Sequence, residues 1–292
     1  PDRSMSDDAA AASPPPCPVT GRPAVRLIQE IPRGLLVNLW RHAGGVDLGH
    51  LLRGRGRIRL WESPCGLAFF EPMIEGDAAL YPAFYENVGA DRWLFGDPDA
   101  SRAEFAAAAA LVRDGDRVLD VGCGQGVFRR HVPGADYVGL DPYAPDDAGP
   151  GVVRESVQAH AAANPGRYDV VCALQVLEHS AEPMAMARAM VRALRPGGLF
   201  VVAVPSWPSP LVEIPNLPAN AVPHHLSWWT TGAPEALCGE LGLDGIEARA
   251  LPAQPQHRLL HWTWWFSPVK ARGPYFRGAW SWHLSPAPGR HQ

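Results

Sequence analysis

The stretch Arg117-Val-Leu-Asp-Val-Gly-Cys-Gly-Gln-Gly-Val-Phe128 decides the fold of this 292-residue chain. Val118 to Val121 read as a buried strand, with the acidic Asp120 near its end. The strand runs straight into three glycines, Gly122, Gly124 and Gly126, with Cys123 between the first two. Glycine lets the backbone turn sharply there and approach a ligand closely, because no Cβ intervenes. A dinucleotide loop would place a glycine at the sixth position, where this chain has Val127. An acidic residue two positions before the first glycine also suits a cationic amino-acid ligand better than a pyrophosphate.

Outward from that loop the pattern alternates strand and helix. Asp136 to Leu140 read as a second strand with Asp141 at its end, where a carboxylate can accept bonds from both hydroxyls of a ribose. Tyr168 to Leu174 form an apolar run of the kind buried on both faces of a parallel sheet. It leads into Gln175-Val-Leu-Glu-His179. Pro183 then opens a helix rich in Ala, Met and Arg, which Pro196-Gly-Gly198 stops before the strand Leu199 to Val204. A glycine loop, a strand-end Asp, Leu-Glu-His, and Leu-Arg-Pro-Gly-Gly before a strand, in that order, resemble the class I S-adenosylmethionine-dependent methyltransferases over roughly residues 100–266.

The resemblance implies an α/β, Rossmann-like sheet of seven strands with helices on both faces. Asp244 to Leu251 and Leu259 to Phe266 would be the last two strands, an antiparallel edge pair. It implies S-adenosylmethionine as cofactor, leaving S-adenosylhomocysteine as product. Asp120, Gly122, Cys123, Gly124 and Gly126 would hold the methionine end, Asp141 the ribose, and Gln175 would border the methionine moiety. Adenine contacts are expected near Glu155 to Val157. Three histidines compete for the role of base: His179 in Leu-Glu-His, and His224 and His225 in Pro223-His-His-Leu-Ser-Trp-Trp229. A neutral imidazole near pH 7 suits proton removal. A structural role in shaping the loop is the competing reading for each. No convincing metal-ligand set appears, so no metal is expected.

Residues 1–16 are rich in Asp, Ala, Ser and Pro and read as a disordered tail. Residues 17–95 read as an accessory unit, and here the same resemblance extends to an N-terminal zinc ribbon carried by many bacterial members. Cys17-Pro-Val-Thr20-Gly21 and Glu62-Ser-Pro-Cys65-Gly66 each keep one cysteine of a Cys-x-x-Cys pair. Two thiols are too few for a structural zinc, and the spacing of His42 and His50 does not complete the set. The expectation is a ribbon that kept its shape and lost its metal. Glu71 to Tyr85, with Tyr81 and Phe84, would link this unit to the main domain, 96–266, as a lid or as interdomain packing. Residues 267–292 form a Trp/Pro-rich tail.

The net charge of −4 offers no general attraction for nucleic acid, and Arg53 to Arg59 read as a solvated turn or strand face. Five scattered cysteines describe no disulfide framework. No secretory leader and no apolar run of membrane-spanning length is visible, so a cytoplasmic location is expected. Trp228 and Trp229 lean towards an acceptor pocket, and Trp262, Trp264 and Trp265 towards packing against the sheet or a second subunit, which leaves a homodimer open. The function expected is methylation of a hydroxyl or carbon on a small-molecule acceptor: a secondary metabolite, a quinone or a sugar-like compound. The rivals are another outcome with the same cofactor, such as cyclisation, and a non-catalytic cofactor-binding interaction protein.

Overall fold

The computed structural model describes residues 13–88 and 102–252, together with 262, 264–268, 270, 271 and 273–277. Two sheets organise them. The first is antiparallel and uses β1 (Arg26–Pro32), β2 (Arg57–Glu62) and β3 (Leu67–Glu71). The alternation in Arg57-Ile-Arg-Leu buries Ile58 and Leu60 and leaves Arg57 and Arg59 to pair with Glu30 at 3.4 and 3.1 Å. Arg57 and Arg59 therefore form a strand face paired with the neighbouring strand, and Arg53 lies in the turn before it.

The second sheet begins at β4 (Arg117–Val121), followed by β5 (Asp136–Leu140), β6 (Val152–Val153), β7 (Tyr168–Leu174) and β8 (Leu194–Ala203). All four pairings are parallel, in the spatial order β6-β5-β4-β7-β8. The helices are α1 (Arg33–Leu39), α2 (Leu80–Val88), α3 (Ala103–Ala109), α4 (Val157–Ala163), α5 (Pro183–Ala193) and α6 (Gly232–Glu240). Alternate strand residues face opposite layers. Val118, Val170 and Cys172 pack with Phe105 and Ala108 of α3, whereas Leu119, Val121, Val171 and Ala173 pack with α4 and α5. Burial on both faces explains the continuous apolar runs.

The chain winds outward from β4 to β6 and then returns to β7 on the other side of β4. This reversal between β4 and β7 is the switch point at which open α/β sheets form a ligand crevice beyond their strand ends.

The α/β, Rossmann-like class is as expected, but the described residues hold five parallel strands in this sheet where seven were expected. Residues 244–251 form no strand. Ile246 and Leu251 are 45% and 41% exposed, so this alternating segment buries no apolar face that could hold it in a sheet. Of Leu259 to Phe266, residues 259–261 and 263 lie outside the described residues, and 262 and 264–266 are helical.

A ninth strand arises instead within the loop after β8. β9 (Ser227–Trp229) pairs antiparallel with β3, Leu67 opposite Trp229, and completes the first sheet. The accessory unit and the main domain therefore share a sheet. At the other end of the unit, Pro16 bridges Pro23, so the described part of the expected tail, 13–16, is tied to the chain.

Candidate functional site

The glycine loop lies at the switch point. Gly122 and Cys123 both donate their amides to the Leu140 carbonyl, at 2.7 and 3.1 Å, which bends the chain over the end of β5. Gly122, Gly124 and Gly126 all have left-handed φ, at 72°, 55° and 77°. A Cβ on Gly122 would lie 2.6 Å from Val176 just beyond β7, so this position needs glycine for its space as well as its φ. Gly122→Ala is expected to cost about 3 kcal/mol from strain and overpacking, read as a lowered urea midpoint with unchanged m-value. An unchanged midpoint would refute that close packing.

Asp141 belongs to the same corner. Its Oδ2 accepts the Gly124 amide at 2.9 Å and its Oδ1 the Tyr143 amide at 2.8 Å. The carboxylate is thereby oriented, and each oxygen keeps a second lone pair. Gln175, the first residue after β7, has a positive φ of 64° and donates its amide to Ala203 O at 2.8 Å. Such a conformation in a non-glycine residue is held by its surroundings. It turns the chain back so that Val176 meets Gly122.

Asp120 bonds side chains of the two strands that flank β4. It is 3% exposed, accepts the Tyr137 hydroxyl at 2.7 Å, and has the Cys172 thiol at 3.7 Å. Burial pushes its carboxyl up to about 7. Asp120 thus anchors the Tyr137 hydroxyl at the end of β4, two residues before the first glycine of the loop. Tyr137 was not singled out in the sequence; a tyrosine at the second position of a buried strand gave no signal. Glu155 and Ser156, expected near adenine, have local duties. Glu155 bonds the His160 ring at 2.8 Å and Ser156 caps α4.

The three candidate histidines converge although 45 residues separate His179 from His224. His179 ends a 3-10 turn, Leu177–His179, just past β7, and His224 and His225 precede β9. Their ring centroids are 4.6 to 5.0 Å apart. Two bonds clamp the segments together: Leu226 N donates to Glu178 O at 2.7 Å, and His179 Nδ1 donates to His224 O at 2.7 Å. A carbonyl can only accept, so the His179 proton sits on Nδ1 and Nε2 carries the lone pair. His224 Nδ1 donates to Ala219 O at 2.9 Å by the same logic.

Burial pushes His179 down to about 4 and, with the neighbouring rings, His224 and His225 well below the usual histidine value. Glu178 is 1% exposed, and neither of its carboxyl oxygens has a hydrogen-bond partner among the described residues. Burial pushes it up to about 8. Its Oε1 is 3.7 Å from His179 Nε2; because burial keeps both groups neutral, this is a contact and not an ion pair. From α2, Tyr81 lies over His179 and His224, and Phe84 over His224, with centroids 5.3 to 6.1 Å away.

A family model described as a methyltransferase domain matches residues 91–279, well over half of the chain. The chain belongs to this methyltransferase-domain family. Among curated relatives, the ubiquinone biosynthesis O-methyltransferase of Pectobacterium carotovorum subsp. carotovorum (strain PC1) is 40% identical over 97 residues, covering 29% of this chain and 41% of that one. The protein of the same name from Serratia proteamaculans (strain 568) is 39% identical over 94 residues, covering 28% and 39%. The chain thus spans about two fifths of the length of these relatives. Among solved structures, a SAM dependent methyltransferase from Archaeoglobus fulgidus aligns at 15% identity over 62% of this chain and 91% of that one, with a TM-score of 0.44.

In this methyltransferase-domain protein Trp228 and Trp229 depart from the sequence expectation, and Trp264 is the one of its group with partners among the described residues that partly cover it. Trp228 and Trp229, expected at an acceptor pocket, are 3% and 1% exposed. Their indoles bond Asn220 O and Ser227 Oγ, both at 3.0 Å, inside the first sheet. Trp262 and Trp265, expected to pack, are 61% and 69% exposed. Trp264 donates to Glu213 at 3.0 Å and lies under the Lys270 ammonium at 4.2 Å.

Metal sites divide in the same unexpected way. His50 bonds Asp77 at 2.8 Å and takes no part in a site with Cys17 and Cys65. Among the described residues the group that fits a cation is His179, His224 and His225, whose ligand atoms all lie within 4.8 Å of one another. Three imidazoles with an open fourth position suit zinc or a similar ion. The sequence concealed this set because its members lie on two distant segments.

Proposed function

We propose that the protein transfers the methyl group of S-adenosylmethionine to a hydroxyl oxygen of a small planar acceptor of phenol or quinol type, with His179 as the base. The observation that carries this reading is the neutral, clamped histidine cluster just past β7, on the rim that also packs against the glycine loop. The family membership and the O-methyltransferase names of the partial relatives support the donor and the attacked atom. Gly122 to Gly126 and Asp141 hold the donor; α2, with Tyr81 and Phe84, covers the acceptor side.

The sulfonium already activates the methyl group, so the protein must mainly align the acceptor oxygen with the S–CH3 bond. As the O–CH3 bond forms and the C–S bond breaks, the hydroxyl proton becomes strongly acidic. A weak base therefore suffices, and His179 Nε2 is free of the proton at neutral pH. The nascent imidazolium is stabilised through Nδ1–H to His224 O.

A second reading gives the histidines to a divalent cation that would bind the acceptor oxygen as a Lewis acid. The convergence of three ring nitrogens favours it. Calorimetric titration with S-adenosylmethionine and S-adenosylhomocysteine, followed by turnover of a catechol with and without chelator, tests both readings. We expect binding of both nucleosides and chelator-insensitive methylation. One equivalent of bound metal with activity lost on chelation would establish the second reading; binding of neither nucleoside by folded protein would refute both.

A further inference from the structure

Cys17 and Cys65, which the proposed reaction does not use, lie in two tight turns that face each other. The first turn is closed by Cys17 N to Arg22 O at 2.8 Å and Gly21 N to Cys17 O at 2.9 Å; the second by Ser63 N to Leu67 O at 2.8 Å and Gly66 N to Ser63 O at 3.0 Å. Across them the two Sγ atoms are 3.8 Å apart. Each turn offers one thiol.

The positions that would complete a zinc set are otherwise engaged. The Thr20 hydroxyl accepts the Arg22 amide at 3.4 Å, and the Glu62 carboxylate is held by Arg26 at 2.6 Å. Among the described residues no further His, Cys, Asp or Glu joins the two thiols in a group of three. Two thiols at van der Waals contact, without the other half of a metal set, have another chemistry available.

We propose that Cys17 and Cys65 are a dithiol pair that closes reversibly into a disulfide, a covalent clasp in the place of the ribbon's metal. Closure needs the sulfurs to move from 3.8 Å to about 2.05 Å, a side-chain adjustment across turns already aligned. Cys65 is half-buried and offers the point of entry, whereas Cys17 is 2% exposed among Trp61, Leu67 and Trp229.

With a low-molecular-weight disulfide RSSR as oxidant, the Cys65 sulfur attacks one sulfur as its proton passes to the Cys17 thiolate beside it; the released thiolate takes that proton from Cys17 and leaves as RSH, with a mixed disulfide on Cys65. The Cys17 thiolate then attacks the Cys65 sulfur and expels the second thiolate, which is protonated to RSH. Two protein thiols are oxidised and one RSSR is reduced to two RSH. The contact between the two sulfurs pushes Cys17 down and, with burial, Cys65 up, so of the pair it is Cys17 that gives up its proton more readily and resolves the mixed disulfide. Burial raises Cys123, Cys172 and Cys238, and the 3.8 Å contact between Cys17 and Cys65 makes the chemistry selective for this pair.

The clasp sits beside the proposed base cluster. Thr230 N donates to Gly66 O at 3.3 Å, and β9 runs from that contact back to His225. Closing the disulfide would brace the turn that contacts the end of β9, the strand that His224 and His225 precede.

The test treats reduced, folded full-length protein with oxidised glutathione, quenches with an alkylating agent in denaturant, and maps the peptides by mass. The expected product has lost about 2 Da, with Cys17 linked to Cys65 and the other three cysteines alkylated. Cys17→Ser should instead trap glutathione on Cys65 as a stable adduct, and urea-unfolded chain should show no preference for this pair. Alkylation of both thiols after oxidation, a linkage to a different cysteine, or one tightly bound zinc that protects the two thiols would each overturn the proposal.

Discussion

Asp141→Ala is expected to weaken S-adenosylmethionine binding by roughly 100- to 1,000-fold while leaving the fold intact. The carboxylate has two separable duties. It accepts the Gly124 and Tyr143 amides, at 2.9 and 2.8 Å, and so sets the height of the glycine loop above the end of β5. Its remaining lone pairs are those the proposed ribose hydroxyls would use. A hydrogen bond to an ionised group contributes about 1.5–3 kcal/mol, and two lost at the lower end of that range, about 3–4 kcal/mol in all, correspond to the stated loss.

Asp141→Asn separates the duties, because the amide keeps one carbonyl acceptor but replaces the other with a donor that would face a backbone N–H. It should fall between wild type and alanine in calorimetric titration. Unchanged affinity in Asp141→Ala would remove this residue from the cofactor site and shift the ribose elsewhere on the β5–β6 edge.

The parts of this protein that were legible in the sequence are those whose signal is local. β4, β5 and β7 are apolar runs buried on both faces, and their bounds could be read almost to the residue; the glycine triplet and the proline opening α5 are equally local. What escaped depends on contacts between distant segments. β9 is three residues long and exists because β3, some 160 positions earlier, offers it an edge. Tryptophan content told nothing about direction, since an indole suits a core and a surface equally; Trp228 and Trp229 are in the core and Trp262 and Trp265 are not. The segment Asp244 to Leu251 has strand-like alternation, yet no sheet edge takes it up. Asp120 was readable as a strand-end acid, but its bond from the Tyr137 hydroxyl, 17 residues on, was not. The site was legible as a set of residue types, and illegible as a geometry.

His179→Ala should lower kcat by roughly 100- to 10,000-fold, the range expected for losing a positioned general base, with little change in the affinity for S-adenosylhomocysteine. The same loss in kcat and kcat/KM would place the interaction in the transition state; unchanged turnover would leave His225 as the base. The acid limb of kcat/KM carries an independent check. Because burial holds His179 at about 4, activity should persist well below the ordinary histidine value of 6.5 and fall only as the pH approaches 4.

Stability follows a related but distinct profile. The three histidines have folded values below their unfolded ones, so their contribution is present above pH 6.5 and is lost as the pH falls towards 4. Glu178 and Asp120 are raised, so theirs is present at low pH and is lost as the pH rises, through about 8 and about 7 respectively. Urea midpoints should therefore peak near pH 6.5. Removing His179 should flatten the acid side of that peak and leave the alkaline side unchanged, whereas a base that merely propped up the loop would lower the whole curve. A profile displaced uniformly, with kcat falling in proportion to the folded fraction, would assign His179 a structural role and leave the proton to another group.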